Sequence, residues 1–325
     1  MSGRQRFLSR VICGGRRLLQ GTPLAGSGVT SAVSAALYRR AFPPGRAEAM
    51  VVPFRGLGFN VAEGDRCIAP AIAAGEYEDV ALTILETLAG SARVIVDVGA
   101  NIGLHSCLAA RRQPPGGRVV AFEPVPVNLR ALERNVRLNG CTDAVRIEPL
   151  AAGARAGTVT MRLSAANGGA HSIAPDGAAT GGQQVEVRQV RLDDRLAELG
   201  VGPPDILKID VEGWEVSALR GAGDLLTRSR CAVLAEYVPS QVRACGEDPE
   251  RLLDHLYADG RRVYALDEFC GRLRRVAREE LSAWPGDNPH CANLLSLSRP
   301  DHLARLPEDA ERPFGCTLEN RHAHA

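Results

Sequence analysis

Residues 93–103 read R-V-I-V-D-V-G-A-N-I-G, a run of β-branched residues closing on an acid and then two glycines four apart. This is the pattern of a buried strand that turns sharply into a helix. Gly99 permits the tight turn. Gly103 lets the helix start approach a ligand, so that free backbone N–H groups and the positive helix end face it. Asp97, at the strand's end, adds an acceptor beside those donors. Donors for a carboxylate next to an acceptor for an ammonium suit a free amino-acid moiety. Glu123 closes a second strand-like run, R-V-V-A-F, and an acid at that point of a doubly wound fold accepts hydrogen bonds from both hydroxyls of a ribose. Asp210 and Glu212 follow a third apolar run around I-L-K-I, at the kind of strand end where open α/β sheets place their chemistry. Two imidazoles are best placed to work with them: His105, two residues past Gly103, and His171, in a long Gly-rich loop with Asn167 and Ser172.

The elements that must position these side chains alternate along the chain. Helical patterns over 102–112 and 127–139 separate the first three strands, and a strand, helix and strand within thirty residues make a right-handed βαβ unit. The third strand, V-R-I-E-P-L-A, closes near Ala151. Two alternating segments, T-V-T-M-R-L and V-E-V-R-Q-V-R-L, then read as an inserted antiparallel pair. The loop joining them, which carries His171, is long enough to be a lid over the acceptor site. Strand four ends at Asp210, a helix spans 214–226, and a fifth strand ends at Glu236. The runs R-V-Y-A-L and A-N-L-L-S-L-S complete seven strands, the last pairing antiparallel. Upstream, Val80, Ile84, Leu85 and Leu88 share one face of a helix that begins at G-E-Y-E, where Glu76, Tyr77 and Glu78 are within reach of a ligand. The expected fold is α/β, a Rossmann-like doubly wound, mostly parallel seven-stranded sheet with an inserted β-hairpin and a small N-terminal helical/β cap. Its parts are a basic segment over 1–49, the cap over 50–92, the main domain over 93–300 and a tail over 301–325.

Composition narrows the class. The 325 residues, 45% of them hydrophobic, can bury one substantial core, and no apolar run is long enough to span a membrane. Eight arginines and no acid precede Glu48, so the rest of the chain carries about seven more acids than bases. The basic segment reads as a disordered tail, an arm making weak membrane-surface contact, or a targeting peptide. Nine scattered cysteines without a C-x-x-C pair indicate reduced thiols and a cytoplasmic protein rather than a disulfide frame or zinc site. No metal site is expected, because Asp210 and Glu212 lack a third ligand.

A glycine-containing loop and an acid at the second strand end are shared by dinucleotide oxidoreductases and by enzymes that use S-adenosylmethionine. The dinucleotide fingerprint seats a pyrophosphate on G-x-G-x-x-G. Here the order is Asp97, Gly99, Asn101, Gly103, with an acid where a pyrophosphate would be repelled. An acid there tolerates a ligand presenting a cation, and S-adenosylmethionine presents an ammonium and a sulfonium.

The chain resembles the FkbM-type methyltransferases in G-E-Y-E (75–78), V-D-V-G-A-N-I-G (96–103), F-E-P-x-P-x-N (122–128), L-x-x-N-x-x-L-N (132–139), N-G-G-A-H-S (167–172) and I-L-K-I-D-V-E-G-W-E (206–215). The resemblance covers about residues 50–270. It implies a class I S-adenosylmethionine-dependent methyltransferase, usually O-methylating a hydroxyl of a sugar, glycolipid or polyketide. On it, Asp97, Gly99, Asn101, Gly103, Glu123 and Asn128 hold the cofactor. Asp210 is the first choice for base or positioning residue, with Glu212, His105 and His171 as further candidates. Glu212 has the alternative of a structural ion pair with Lys208, the single lysine of the chain. The expected partner is a small-molecule or glycan hydroxyl acceptor. No nucleic acid is expected, since the body is acidic and no N/D-P-P-Y/F motif follows strand four. A nicotinamide-dependent oxidoreductase and a non-catalytic S-adenosylmethionine-binding protein remain as other readings.

Overall fold

A computed structural model describes residues 50–61, 68–163, 171–173, 183–268, 270–284 and 292–306, with residues 3, 6–11, 14, 36–37 and 41 of the N-terminal segment. Asn167 and nearly all of the arginine-rich segment and the tail lie outside the described residues.

The chain opens with a hairpin of β1 (Val51–Phe54) and β2 (Leu57–Asn60), then helices α1 (Ile68–Ala74) and α2 (Asp79–Ala89). The first βαβ unit is β3 (Val94–Val98), α3 (Leu104–Arg112) and β4 (Arg118–Phe122), followed by α4 (Pro126–Leu138) and β5 (Val145–Glu148). Next come β6 (Ala151–Ala152), β7 (Gly157–Arg162), β8 (Ser172–Ile173), β9 (Gln184–Val190) and α5 (Leu192–Glu198). The second half holds β10 (Ile206–Ile209), α6 (Glu215–Arg220), α7 (Gly223–Ser229), β11 (Ala232–Glu236), α8 (Pro239–Ala244), α9 (Pro249–Leu256), β12 (Arg262–Asp267), β13 (Arg272–Arg275) and β14 (Asn293–Leu297).

Eight strands form the main sheet, in the order β13-β12-β14-β11-β10-β3-β4-β5. All run one way except β14 and β13, which pair antiparallel with their neighbours. The central strands read as unbroken apolar runs because both faces are covered. Alternate residues serve opposite layers: Ile95, Val119 and Ile206 pack into one core, Val96, Val120 and Leu207 into the other.

Four expectations need correction. The sheet has eight strands rather than seven, because R-L-R-R pairs with β12 as β13, where only Leu273 is buried. Three arginines in four residues hide a strand that is an edge. The run A-N-L-L-S-L-S is antiparallel, but it is inserted between β11 and β12. The third strand breaks at Pro149, and Ala151–Ala152 belongs to a second, four-stranded sheet of order β6-β9-β7-β8 that contains the inserted pair. The helix over 214–226 is two helices, interrupted where Gly221 comes so near Gly153 that a Cβ would lie 2.1 Å from the Gly153 carbonyl oxygen.

The L-x-x-N-x-x-L-N run clamps the N-terminal hairpin onto the sheet domain. Asn135 donates to the carbonyls of Ile102 and Asn60 and accepts from the Asn60 amide. One turn later Asn139 does the same with both backbone groups of Gly58. Two amides at i and i+4 lie on one helix face and so present a strand-like edge to β2. Asn135 is fully buried, so Asn135→Ala strands three backbone groups and is expected to cost about 2–3 kcal/mol in urea unfolding. A loss below about 0.5 kcal/mol would show that the hairpin is held by other contacts.

Candidate functional site

Strands β3 and β10 are parallel neighbours, and the chain leaves them in opposite directions, to β4 and β5 on one side and to β11 on the other. That reversal opens a crevice at the strands' carboxyl ends, where an open α/β sheet binds ligands. A cavity of about 240 Å³ occupies it. Its polar wall includes Tyr77, Glu78, Asn101, Glu123, Asn128, His171, Asp210, Glu212 and Glu236. Phe122, Met161, Ile173 and Trp214 are among its apolar side chains.

The floor is set by an unusually close approach. Gly99 has φ +80°, and a Cβ there would sit 1.8 Å from the Asp210 carbonyl oxygen, so the turns after β3 and β10 touch backbone to backbone. Glu78, Asn101 and Glu212, all on the cavity wall, also have positive φ. Non-glycine residues in that region concentrate at functional sites, where the surrounding structure holds them.

Glu123 follows β4 and is 4% exposed. One carboxylate oxygen accepts from the Asn101 amide at 2.8 Å and the other from the Val125 amide at 2.7 Å, which fixes the group facing the cavity. Burial raises its pKa to about 7, with the two amides and Lys208 opposing the shift. Asp210 lies at the end of β10 with Oδ2 3.3 Å from Lys208 Nζ. Lys208 is buried beneath the turn. It donates to the Gly99 carbonyl at 3.1 Å and lies 3.5 Å from Asp97 Oδ1. Despite its burial it is held above its ordinary pKa by Asp210, Asp97 and Glu78.

Of the residues expected at the site, Gly99, Asn101, Glu123, Asn128, His171, Asp210 and Glu212 are brought together on the cavity wall. Asp97, Gly103 and His105 do not line it. Asp97 is 2% exposed behind the turn, where it accepts from Ser106 Oγ at 2.6 Å and faces Lys208. Gly103 leaves room for a neighbouring helix rather than for a ligand: a Cβ there would sit 2.4 Å from Leu132 Cδ1. His105 is buried with Nε2 3.1 Å from Glu78 Oε2, so it reaches the cavity through Glu78. Burial alone would raise the Glu78 carboxyl, but His105 and Lys208 bring it below the ordinary range. Glu212 is not the partner of Lys208; it accepts from Gln241 Nε2.

Some wall residues carried a signal and some did not. Glu236 ends β11 as Glu123 ends β4, and Tyr77 and Glu78 stand in G-E-Y-E, so all three were readable. Met161 and Ile173 arrive by long-range packing, as does Gln241 behind Glu212, and nothing local marks them. Glu215, within the I-L-K-I-D-V-E-G-W-E run, accepts from the amides of Val211 and Gly213 and so holds the turn that presents Asp210 and Glu212.

Burial drives several of these acids upward. Glu215 rises to about 7. Glu212 rises to about 8, aided by Asp210 and Glu215. Glu236 is raised well above the carboxylate range, with Asp210 and Glu212 adding to the burial effect. Burial lowers His171, favouring its neutral form. Between about pH 5 and 7 the folded protein therefore keeps protons on Glu123 and Glu215 that the unfolded chain has released, and it keeps the Glu212 proton to about pH 8. Stability must then fall as pH rises through that window. The loss is on the order of 1 kcal/mol per group between pH 6 and pH 8. Thermal melts of the ligand-free protein should accordingly give a Tm several degrees higher at pH 6; a flat or opposite trend would contradict these shifts.

Among the described residues, no group of three or more His, Cys, Asp or Glu side chains is arranged to hold a metal ion, and no helix is long and apolar enough to cross a membrane. Among the described residues the lining contains five acidic side chains, Glu78, Glu123, Asp210, Glu212 and Glu236, and no arginine or lysine.

The sequence pattern described as the methyltransferase FkbM domain matches residues 97–264, more than half of the chain. The chain belongs to the FkbM methyltransferase domain family. Among its relatives, the 31-O-demethyl-FK506 methyltransferase FkbM of Streptomyces tacrolimicus is 34% identical over a match covering 40% of this chain and 60% of that protein. The hexuronic acid methyltransferase AglP of Haloferax volcanii is 30% identical, with 46% and 57% covered. The chain thus spans somewhat under two thirds of the length of these relatives. A crystal structure of methyltransferase FkbM from Methylobacillus flagellatus KT superimposes with a TM-score of 0.41 at 18% identity, covering 63% of this chain and 43% of that one.

Proposed function

We propose that this FkbM-family chain is an S-adenosylmethionine-dependent methyltransferase that O-methylates a hydroxyl of a sugar, glycolipid or polyketide-type acceptor. The observation that carries the reading is the make-up of the crevice at the β3/β10 reversal: among the described residues five acidic side chains line it and no arginine or lysine does. A diphosphate needs basic or amide donors at that point, whereas a ligand bearing a sulfonium and an ammonium is stabilised by acids. The name of a relative acting on 31-O-demethyl-FK506 supports a hydroxyl acceptor, and that of a relative acting on a hexuronic acid supports a sugar.

The cofactor, when bound, supplies a methyl group on a positively charged sulfur. The chain's own residues do the rest. Glu123, already oriented by the Asn101 and Val125 amides, would accept from the ribose hydroxyls, and Asn128 and the Gly99 turn would complete that end. Asp210 orients the acceptor hydroxyl and takes its proton, and Lys208 behind it fixes the carboxylate. Proton removal by a positioned base contributes about 10²–10⁴-fold to such a step. Glu212, held by Gln241, and the neutral His171 align the acceptor from either side. His105 acts at one remove, as a positioning residue for Glu78.

Calorimetric titration of the full chain tests this reading. S-adenosylhomocysteine should bind and NADH should not, and Glu123→Ala should weaken the former by about 10–100-fold, the worth of two hydrogen bonds to a buried carboxyl group. Tight NADH binding with no response to S-adenosylhomocysteine would move the chain to the oxidoreductases.

A further inference from the structure

Cys107, Cys141, Cys231 and Cys245 are buried and in no disulfide. Burial raises Cys231 and Cys245, as it does for thiols that only fill a core. Cys107 and Cys141 differ, because they meet. Cys107 is fully buried in α3, and Cys141 follows the end of α4 with 7% of its surface exposed. Their thiols hydrogen-bond to each other. Cys141 Sγ also lies 4.0 Å from the Cys107 carbonyl oxygen and 3.5 Å from that of Asn139.

The backbone fixes this meeting. Gly140, at φ +65°, ends α4 in the left-handed conformation, and the amides of Gly140 and Cys141 donate back to the Arg137 and Val136 carbonyls at 3.1 and 2.9 Å. A helix ended in this way packs the residue after the glycine against its own last turn. The Cys141 carbonyl then accepts from the Ala144 and Val145 amides at 3.0 and 2.8 Å, which leads the chain into β5. Exposed Gly140 and Thr142 stand on either side of Cys141, so a small oxidant approaches from that turn.

The two thiols are also unequal. Cys141 is pushed down to about 7 by the hydrogen bond from Cys107, with Arg111 adding to this and burial opposing it. Cys107 is pushed up by the same bond and by burial. A thiolate is the nucleophile in thiol oxidation, and redox-sensing cysteines pair a readily ionised thiol with a second one that resolves it. Cys141 is the more exposed of the two as well as the more readily ionised.

We propose that Cys107 and Cys141 are a modification site at which a peroxide forms a reversible disulfide, tying α3 to the end of α4. The Cys141 thiolate attacks a peroxide oxygen; the sulfur–oxygen bond forms as the oxygen–oxygen bond breaks, and the departing hydroxide takes up the proton Cys141 had released. The Cys107 sulfur then gives up its proton and attacks the Cys141 sulfenic acid, whose oxygen leaves as a second water. Two thiols are oxidised by two electrons in all, and one peroxide is reduced to two waters. The inference is independent of the methyl-transfer reading. Its place in the fold still matters to the site: Ser106, next to Cys107, holds Asp97 behind the Gly99 turn, and Asn139, two residues before Cys141, clamps β2.

The test treats the full chain, first reduced and freed of reductant, with a small excess of hydrogen peroxide, and then alkylates it with iodoacetamide in denaturant. Peptide mass analysis without reduction should show the peptides holding Cys107 and Cys141 joined as the main product, and dithiothreitol should part them. Cys141→Ser should give no linkage. Cys107→Ser should leave Cys141 as a sulfenic acid that dimedone traps. Cys270→Ser, at a half-buried thiol elsewhere, should link as the unaltered chain does. The urea midpoint of the oxidised chain should rise, because the cross-link restricts the unfolded state, and fall back on reduction. Alkylation of both Cys107 and Cys141 after peroxide, or linkage of either to another cysteine, would overturn the proposal in the unaltered chain alone, whatever the variants do. A lowered midpoint would show that the folded protein does not accept the bond, and would overturn it equally.

Discussion

Asp210→Asn is expected to lower turnover by about 10²–10⁴-fold while leaving affinity for S-adenosylhomocysteine within a few-fold. The substitution keeps the side chain's size and one acceptor oxygen, so it isolates the loss of a charge and a proton site. Lys208 keeps its bond to the Gly99 carbonyl and its place beside Asp97, which leaves the floor of the crevice intact. Glu123 and the Gly99 turn, the proposed cofactor contacts, belong to other strands. Release of S-adenosylhomocysteine in the presence of a hydroxyl acceptor supplies the rate, and calorimetry the affinity. A fully active variant would remove Asp210 from the mechanism. Equal losses in rate and affinity would make it a binding residue.

Gly99→Ala should abolish cofactor binding, by more than about a hundredfold, and lower the Tm. Two costs combine. An alanine at φ +80° pays about 1–2 kcal/mol for the left-handed conformation. Its Cβ would also lie 1.8 Å from the Asp210 carbonyl oxygen, so the β3 and β10 turns must part. Gly140→Ala separates the two terms, because Gly140 also has positive φ but nothing within 4 Å of the added carbon. The control should lose only about 1–2 kcal/mol in urea unfolding and bind the cofactor normally. Identical behaviour of the two variants would show that the backbone contact at Gly99 contributes nothing.

Much of the sheet could be read from the chain because β3, β4, β10 and β11 are apolar on both faces and end in acids. The positions of Glu123 and Asp210 follow from those strand ends alone. Where the reading went astray, the deciding information lay in a neighbour. Asp97, Gly103 and His105 sit in or beside the loop pattern that suggests a ligand, yet their partners are Ser106 and Lys208, Leu132, and Glu78. Loop motifs of this kind mix residues that touch a ligand with residues that hold the loop, and spacing does not distinguish them. The strand β13 was hidden by its arginines. The contributions of Met161, Ile173 and Gln241 depend on how the second sheet and α8 pack over the crevice, which no local pattern encodes.

The central claim concerns the crevice between the β3, β4 and β10 ends: it is shaped for a positively charged sulfur compound carrying adenosine. A crystal structure of the full chain grown with S-adenosylhomocysteine tests it most directly. The ribose hydroxyls are expected on the Glu123 side chain and the sulfur turned toward Asp210. An adenosine bound elsewhere, or a diphosphate seated on the Gly99 turn when NADH is supplied instead, would contradict it.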